Sequence, residues 1–106
     1  MIARVLVLGL ALLLAAAPEA AQDRGALVAQ GKKTFMDQGC YGCHTVGKIG
    51  TAIAQDLSKI GGKYPETYLL RWLRDPSAQK PVAHMPKIAM TEAEAQALAA
   101  FLASLR

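Results

Sequence analysis

The 106-residue sequence contains only two cysteines, two histidines and one tryptophan. It has no internal repeat, and no run of β-branched residues of the kind that predicts strands surrounds either cysteine. The absence of a strand–helix–strand pattern excludes a thioredoxin-like redox protein. No nucleic-acid recognition motif is present either. The chemistry therefore has to come from a small number of side chains.

Both cysteines fall in one short motif, Cys40-Tyr41-Gly42-Cys43-His44. Two thiols separated by two residues and followed directly by histidine form the attachment pattern of a c-type haem. The spacing lets both sulfurs add to the vinyl groups of one porphyrin while the next residue turns its imidazole beneath the iron. Cys40 and Cys43 are therefore the predicted thioether positions, and His44 is the predicted proximal ligand. One motif predicts one covalent haem c with its iron.

Redox dithiols, loop disulfides and zinc sites also use the CxxC spacing. A four-ligand zinc site here would need Cys40, Cys43, His44 and His84. His44 directly follows Cys43, which makes joint tetrahedral ligation awkward, and structural zinc sites usually use spaced pairs. These features favour haem attachment.

The N-terminal segment has the parts of a secretory signal peptide. Arg4 supplies an early positive charge, and residues 5–17 form an uninterrupted apolar run that ends in small residues. Cleavage after Ala17, Ala20 or Ala21 fits the small residues there. The sequence thus divides into a signal peptide, residues 1–21, and a monohaem domain, residues 22–106.

Export agrees with the motif, because covalent haem is added outside the cytoplasm. The predicted location is a bacterial periplasm. The alternative is an uncleaved segment that anchors the protein to the membrane, but the apolar run is shorter than the roughly 20 residues that span a bilayer. The domain, on the order of 85 residues, can bury only a modest core of its own, and the haem would complete it.

The CxxCH motif, a later Met85-Pro86 pair and an amphipathic C-terminal pattern occur in this order. In these features the sequence resembles the small class I c-type cytochromes. The resemblance implies an all-α, cytochrome c-like fold in which the N- and C-terminal helices cross and helices and loops wrap around one covalent haem. It also implies that the protein carries single electrons between redox partners and is not an enzyme in itself.

The first helix is predicted over residues 25–38, with Asp23 as its N-cap and Gly39 at its end. Leu27, Val28, Gly31 and Phe35 share one face at helical spacing. In the resembled family the terminal helices cross at a glycine beside an aromatic residue, which Gly31 and Phe35 would provide here.

Two further helices are predicted. Pro65 is suited to the first position of a helix that ends at Asp75, before a proline. Thr91 and Glu94 form a capping-box pattern at the start of a helix over residues 91–104.

The glycine-rich segment over residues 45–63 is predicted to be a loop around one haem edge. Members of the resembled family commonly present a carbonyl to the haem-ligating histidine from a Gly-Pro-Asp-Leu-like stretch. Here the matching residues read Ala54-Gln55-Asp56-Leu57, without the proline. The partner of the second ring nitrogen of His44 is therefore left open.

Three side chains in the predicted loop over residues 76–90 compete for the sixth position on the iron: His84, Met85 and Met90. The resemblance favours Met85, because a proline follows it. A thioether would place the haem at the higher-potential end of the range. Trp72 or Tyr68 would hydrogen-bond a haem propionate or lie near the distal ligand, although such aromatics are often simply part of a core.

The formal net charge is +4. Six lysines flank the segments that would surround the haem: Lys32, Lys33, Lys48, Lys63, Lys80 and Lys87. A positive rim would steer the protein to an acidic docking face on a redox partner, with membrane complexes as donor or acceptor; an ordinary solvated surface would look the same. Nucleic acid is not an expected partner.

Two other functions stay open: a haem c subunit of a larger periplasmic oxidoreductase, and a five-coordinate haem protein that binds gas or peroxide.

Overall fold

A computed structural model describes the backbone of residues 19–106 and the side chains of residues 23–106. The apolar run of the predicted signal peptide lies outside the described residues. Within the described part, no helix has both the length and the apolar character needed to cross a bilayer.

The first helix, α1, spans Glu19–Asp37. It begins earlier than the sequence predicts, so that Asp23 lies inside the helix rather than at its N-cap. The residues before Gly25 are mostly alanine, glutamate and glutamine, which favour helix and contain no breaker. Gly39 follows the helix with φ of 71°, the left-handed conformation in which glycine commonly ends helices.

Three more α-helices follow: α2 (Glu66–Arg74), α3 (Pro76–Gln79) and α4 (Glu92–Ser104). The short α3 occupies the start of the segment that was predicted to be irregular. It forms because Asp75 accepts a hydrogen bond from the Ala78 N–H and Pro76 stands at the first helical position. The predicted capping box of α4 is present, with Thr91 and Glu94 each accepting a backbone N–H from the other.

The predicted loop over residues 45–63 contains more order than its glycine content indicates. Strands β1 (Thr45–Val46) and β2 (Ile49–Gly50) pair as an antiparallel hairpin. Gly47 and Gly50 allow this hairpin because their φ angles are positive, 58° and 106°. Single 3₁₀ turns span Cys40–Gly42 and Ile60–Gly62.

The helices α1 and α4 cross at Gly31, as predicted. A Cβ atom at this position would lie 1.9 Å from the Ala97 carbonyl oxygen, so only glycine permits this approach. Beside the crossing, the rings of Phe35 and Phe101 have their centroids 5.7 Å apart at an interplanar angle of 60°, a favourable tilted geometry. The all-α fold with crossing terminal helices is confirmed.

The core lies where α1, α2 and α4 meet. Its members are buried apolar side chains: Phe35, Ile60, Leu69, Leu73, Leu98, Ala99, Phe101 and Leu102. Several of them, including Phe35, Leu69 and Leu98, also form the wall of a large cavity. The core therefore continues directly into that cavity.

Candidate haem-binding site

The cavity has a volume of about 840 Å³, within the range of roughly 300–1,000 Å³ typical of ligand and cofactor sites. Its wall is mostly apolar. The four side chains predicted to hold haem, Cys40, Cys43, His44 and Met85, all border it. Residues that are far apart in sequence thus face one space of suitable size and character for a porphyrin.

The two cysteines are presented by a tight turn. After the left-handed Gly39, the chain forms the 3₁₀ turn at Cys40–Gly42, and the His44 N–H donates to the Cys40 carbonyl at 3.0 Å. Both thiols are free rather than joined in a disulfide. Burial raises the pKa of the Cys40 thiol. Both cysteines border the cavity, where their sulfurs are available for thioether bonds.

The His44 ring is oriented by a backbone carbonyl. Its Nδ1 lies 2.7 Å from the Gln55 carbonyl oxygen. Because a carbonyl can only accept, Nδ1 is the donor in this contact, and Nε2 is the ring nitrogen left to bind a metal. Such an outer hydrogen bond fixes the tautomer and strengthens the ligand. The partner that the sequence left open is therefore Gln55, at the position where the resembled family has proline.

Met85 lies half-buried on the cavity wall, and its position is set by α2. The indole Nε1–H of Trp72 donates to the Met85 Sδ at 3.1 Å. A thioether sulfur has a second lone pair, which remains available to a metal. Of the two roles predicted for Trp72, this contact with Met85 fits the one near the predicted distal ligand.

His84 and Met90, the other two candidates for the sixth position on the iron, lie in different surroundings. His84 is exposed but borders the cavity, whereas Met90 packs against the hydrophobic core. The cavity wall therefore contains Met85 and His84 but not Met90.

The contact of His44 with the Gln55 carbonyl is the feature that sequence reasoning missed, whereas for Trp72 a propionate contact and a place near the distal ligand were both left open. The Gln55 carbonyl left no side-chain signal, because a backbone group makes the contact. Trp72 did leave one, since Tyr64, Tyr68 and Trp72 recur every four residues. In the structure, Tyr64 and Tyr68 stack with ring centroids 4.8 Å apart, and the rings of Tyr68 and Trp72 are tilted with centroids 6.5 Å apart.

The basic residues are partly paired. Lys33 binds Asp37 along α1, Arg24 binds Glu66, and Arg74 binds Glu92. Lys80 is the lysine that borders the cavity itself. The six lysines of the predicted rim are exposed, and the charge of Lys33 is partly offset by Asp37.

Comparison with known proteins agrees with this architecture. The family model of cytochrome c matches residues 28–106. The chain is also 36% identical over 89 residues to cytochrome c oxidase subunit 2 of Alkalihalophilus pseudofirmus, a match that covers 76% of this chain and 26% of that protein. The chain thus spans about a quarter of the length of this relative. No solved structure matches it. This chain belongs to the cytochrome c family, whose members transfer electrons by means of haem c and its iron.

Proposed function

We propose that this protein is an exported, periplasmic carrier of single electrons, with one haem c attached through Cys40 and Cys43 and ligated by His44 and Met85. The observation that carries the proposal is that all four side chains border one apolar cavity. The positions of the two ligand atoms are each set by a hydrogen bond, from His44 to the Gln55 carbonyl and from Trp72 to Met85.

Haem c, when bound, supplies an iron that exchanges one electron. The protein's own contribution would be to hold His44 and Met85, the residues that would bind the iron, in fixed positions. The Gln55 carbonyl keeps the His44 ring in one tautomer, and Trp72 holds the sulfur of Met85, which lines the cavity wall. The apolar wall excludes water and helps to set the potential. If His44 and Met85 both bind the iron, no site would be left on it for a substrate, and electron transfer would be outer-sphere.

The exposed lysines support docking to acidic redox partners. Lys80 borders the cavity, and Lys48 and Lys87 lie close in sequence to segments that line it. Together these lysines would give the docking face a positive charge. Exposed charges act chiefly on the association rate, and salt screens them. The rate of electron transfer to a membrane complex is therefore expected to fall as ionic strength rises.

Export is supported by the N-terminal segment and by the site of covalent haem attachment. The test is to fractionate cells that produce the full chain and to determine the N-terminal residue of the haem-bearing protein by mass spectrometry. A periplasmic protein that starts soon after residue 17, 20 or 21 supports cleavage. An intact N-terminus in the membrane fraction supports the anchored alternative.

A second candidate function is a haem-bearing subunit of a larger complex. It is favoured by the similarity to an oxidase subunit 2, because the matched part of that relative is a segment of a longer protein. Size-exclusion chromatography of the protein from its native host distinguishes the two. A carrier elutes as a single small chain, whereas a subunit elutes with partner chains.

The ligand set is tested by visible spectra of the holoprotein, oxidised and reduced, before and after carbon monoxide is added to the reduced form. The wild-type protein is expected to be six-coordinate and low-spin and not to bind carbon monoxide. Met85→Ala is expected to bind it readily. Met90→Ala is the matched control, because this methionine packs against the core away from the cavity wall.

Two outcomes would contradict the proposal. Carbon monoxide binding by the wild-type protein would indicate an open sixth position and favour the gas- or peroxide-binding alternative. An effect of His84→Ala in place of Met85→Ala would assign the sixth position to the neighbouring histidine.

A further inference from the structure

The loop that presents the Gln55 carbonyl is held by a small side-chain network instead of a proline. We propose that Asp56 and Ser58 are positioning residues for His44: they fix the Gln55 carbonyl against Nδ1 and thereby set the strength of this histidine as a ligand. The inference rests on the proposed role of His44 as the proximal iron ligand. Neither residue touches the cavity, so both act through Gln55.

The network is built on one carboxylate oxygen. Asp56 Oδ1 accepts from the Ser58 N–H at 3.0 Å and from the Ser58 Oγ–H at 2.7 Å. The same Ser58 Oγ accepts from the Gly47 N–H at 2.7 Å. The loop that follows Gln55 is thus tied to the tip of the β1–β2 hairpin, which directly follows His44.

Backbone hydrogen bonds secure both sides of Gln55. The Ala54 N–H donates to the Cys43 carbonyl at 2.6 Å, and the Leu57 N–H donates to the Thr45 carbonyl at 2.8 Å. Their acceptors are the two residues on either side of His44. Gln55 itself, among the described residues, donates no backbone hydrogen bond. The direction of its carbonyl therefore depends on what holds its neighbours.

A proline at position 55 would fix φ there by its ring, but glutamine has no such restriction. The peptide plane between Gln55 and Asp56 would be able to rotate if Asp56 were not held. Ser58 donates two hydrogen bonds to the Asp56 side chain, and the same Ser58 hydroxyl accepts from Gly47 in the hairpin. Asp56 is thereby tied to the hairpin. The side-chain network thus restricts the backbone at this point, as the ring of a proline would.

The consequence for His44 is electronic as well as geometric. A carbonyl that accepts firmly from Nδ1–H makes the imidazole a stronger donor to a metal at Nε2. Stronger donation favours the ferric over the ferrous state. Loosening the carbonyl should therefore raise the reduction potential and expose the ring N–H to solvent.

The test measures hydrogen exchange of the His44 Nδ1–H by NMR in the reduced, ¹⁵N-histidine-labelled holoprotein, together with its reduction potential. Asp56→Ala is expected to speed this exchange on the order of tenfold, the factor that corresponds to one hydrogen bond of ordinary strength, and to raise the potential. Ser58→Ala should act in the same direction. Asp56→Asn keeps an acceptor oxygen, so this variant should retain an exchange rate and a reduction potential close to those of the wild type.

Asp75→Ala is the matched control. Asp75 makes the same kind of local contacts, accepting from Ser77 Oγ at 2.8 Å and from the Ala78 N–H at 3.4 Å, but at the start of α3, away from His44. It should leave the ring N–H exchange unchanged. Adding Gln55→Pro to Asp56→Ala should return the exchange rate toward that of the wild type, because the ring then fixes φ.

The proposal is overturned if Asp56→Ala and Ser58→Ala exchange the ring N–H at the wild-type rate, or no faster than Asp75→Ala. If Asp56→Ala does not fold, wild-type exchange in Ser58→Ala alone is sufficient to overturn it. A failure of the proposed function looks different: the His44 ring resonances would then lack the shifts caused by iron coordination in the wild-type protein itself.

Discussion

The two sides of the haem cavity are held in different ways. On the His44 side, neighbouring segments bond to one another through the backbone, as from Ala54 to Cys43 and from Leu57 to Thr45. On the Met85 side, the loop over residues 80–90 is held from outside by the Trp72 side chain at Met85 and by Gln38, which donates to the Ala89 carbonyl at 3.3 Å. The difference predicts that His44 is held more firmly than Met85, so that Met85, as the proposed distal ligand, would be easier to displace.

The largest effect should come from changing the distal ligand while leaving the proximal side intact. Met85→His replaces a thioether with an imidazole, which stabilises ferric iron. The reduction potential should fall by a sizeable part of the roughly 0.8 V that axial ligands span. Voltammetry of the two holoproteins measures the shift, with Met90→His as the control. A potential equal to that of the wild type would mean that Met85 does not bind the iron.

On the His44 side of the cavity, the most destabilising substitution is expected at Gly50. A Cβ there would lie 2.0 Å from the His44 carbonyl oxygen, and φ is 106°. Gly50→Ala should lower the free energy of unfolding by roughly 3 kcal/mol or more, because steric overlap adds to backbone strain. Gly47→Ala also has a positive φ but meets no atom within 4 Å, so its cost should stay near the ~1–2 kcal/mol of backbone strain alone.

Urea denaturation of both holoproteins measures these costs. Equal destabilisation by Gly47→Ala and Gly50→Ala would show that the close approach of the hairpin to His44 contributes little.

A smaller effect is expected from Trp72→Phe, which keeps an aromatic ring but removes the N–H that binds Met85. Donation to the sulfur draws electron density away from the iron, so its loss should lower the potential. The shift should not exceed about 60 mV, the one-electron equivalent of ~1.4 kcal/mol. Carbon monoxide should also bind the reduced variant more readily. A variant with the wild-type potential and no carbon monoxide binding would show that packing alone holds Met85.

The smallest effect concerns acid stability. Hydrogen bonds from Ser58 lower the pKa of Asp56, with a small contribution from Lys63, and hydrogen bonds from Ser77 lower the pKa of Asp75, with a contribution from Lys87. The folded pKa of each carboxyl lies below its unfolded pKa, which is roughly 4. Each contact therefore stabilises the protein at pH values above that unfolded pKa. The contribution is lost as pH falls through the folded pKa.

The comparison of the two sides extends to this pH range. Asp56→Asn and Asp75→Asn should both reduce the pH dependence of the unfolding midpoint between about pH 2 and pH 5. Both carboxylates are exposed, so the changes should be small. Because asparagine keeps an acceptor oxygen, neither variant should alter the environment of His44. An unchanged pH dependence in both variants would mean that neither carboxylate titrates differently on folding.

The sequence predicted the fold and the attachment motif because their signals are local. Thr91 with Glu94 marked the start of α4, whereas the helix crossing at Gly31 and Phe35 was implied by the resemblance to the class I cytochromes. The contact between His44 and Gln55 could not be predicted, because a backbone carbonyl has no residue signature once the proline is absent. The contact between Trp72 and Met85 depends on how a helix packs on a loop, which only tertiary structure determines.

The early start of α1 shows a different limit. Asp23 has the residue type of an N-cap but lies inside the helix, because the preceding alanine, glutamate and glutamine residues favour helix as well. A capping residue is informative only where the residues before it do not favour helix.

The most direct test of the account is an NMR spectrum of the reduced and oxidised holoprotein labelled with ¹³C at the methionine methyl groups. Axial ligation predicts one methyl resonance far outside the usual range in both oxidation states, shifted by the porphyrin ring current and, when oxidised, by the unpaired electron. That resonance should vanish in Met85→Ala and persist in Met90→Ala. A spectrum with no such resonance, or one that survives in Met85→Ala, would contradict ligation by His44 and Met85.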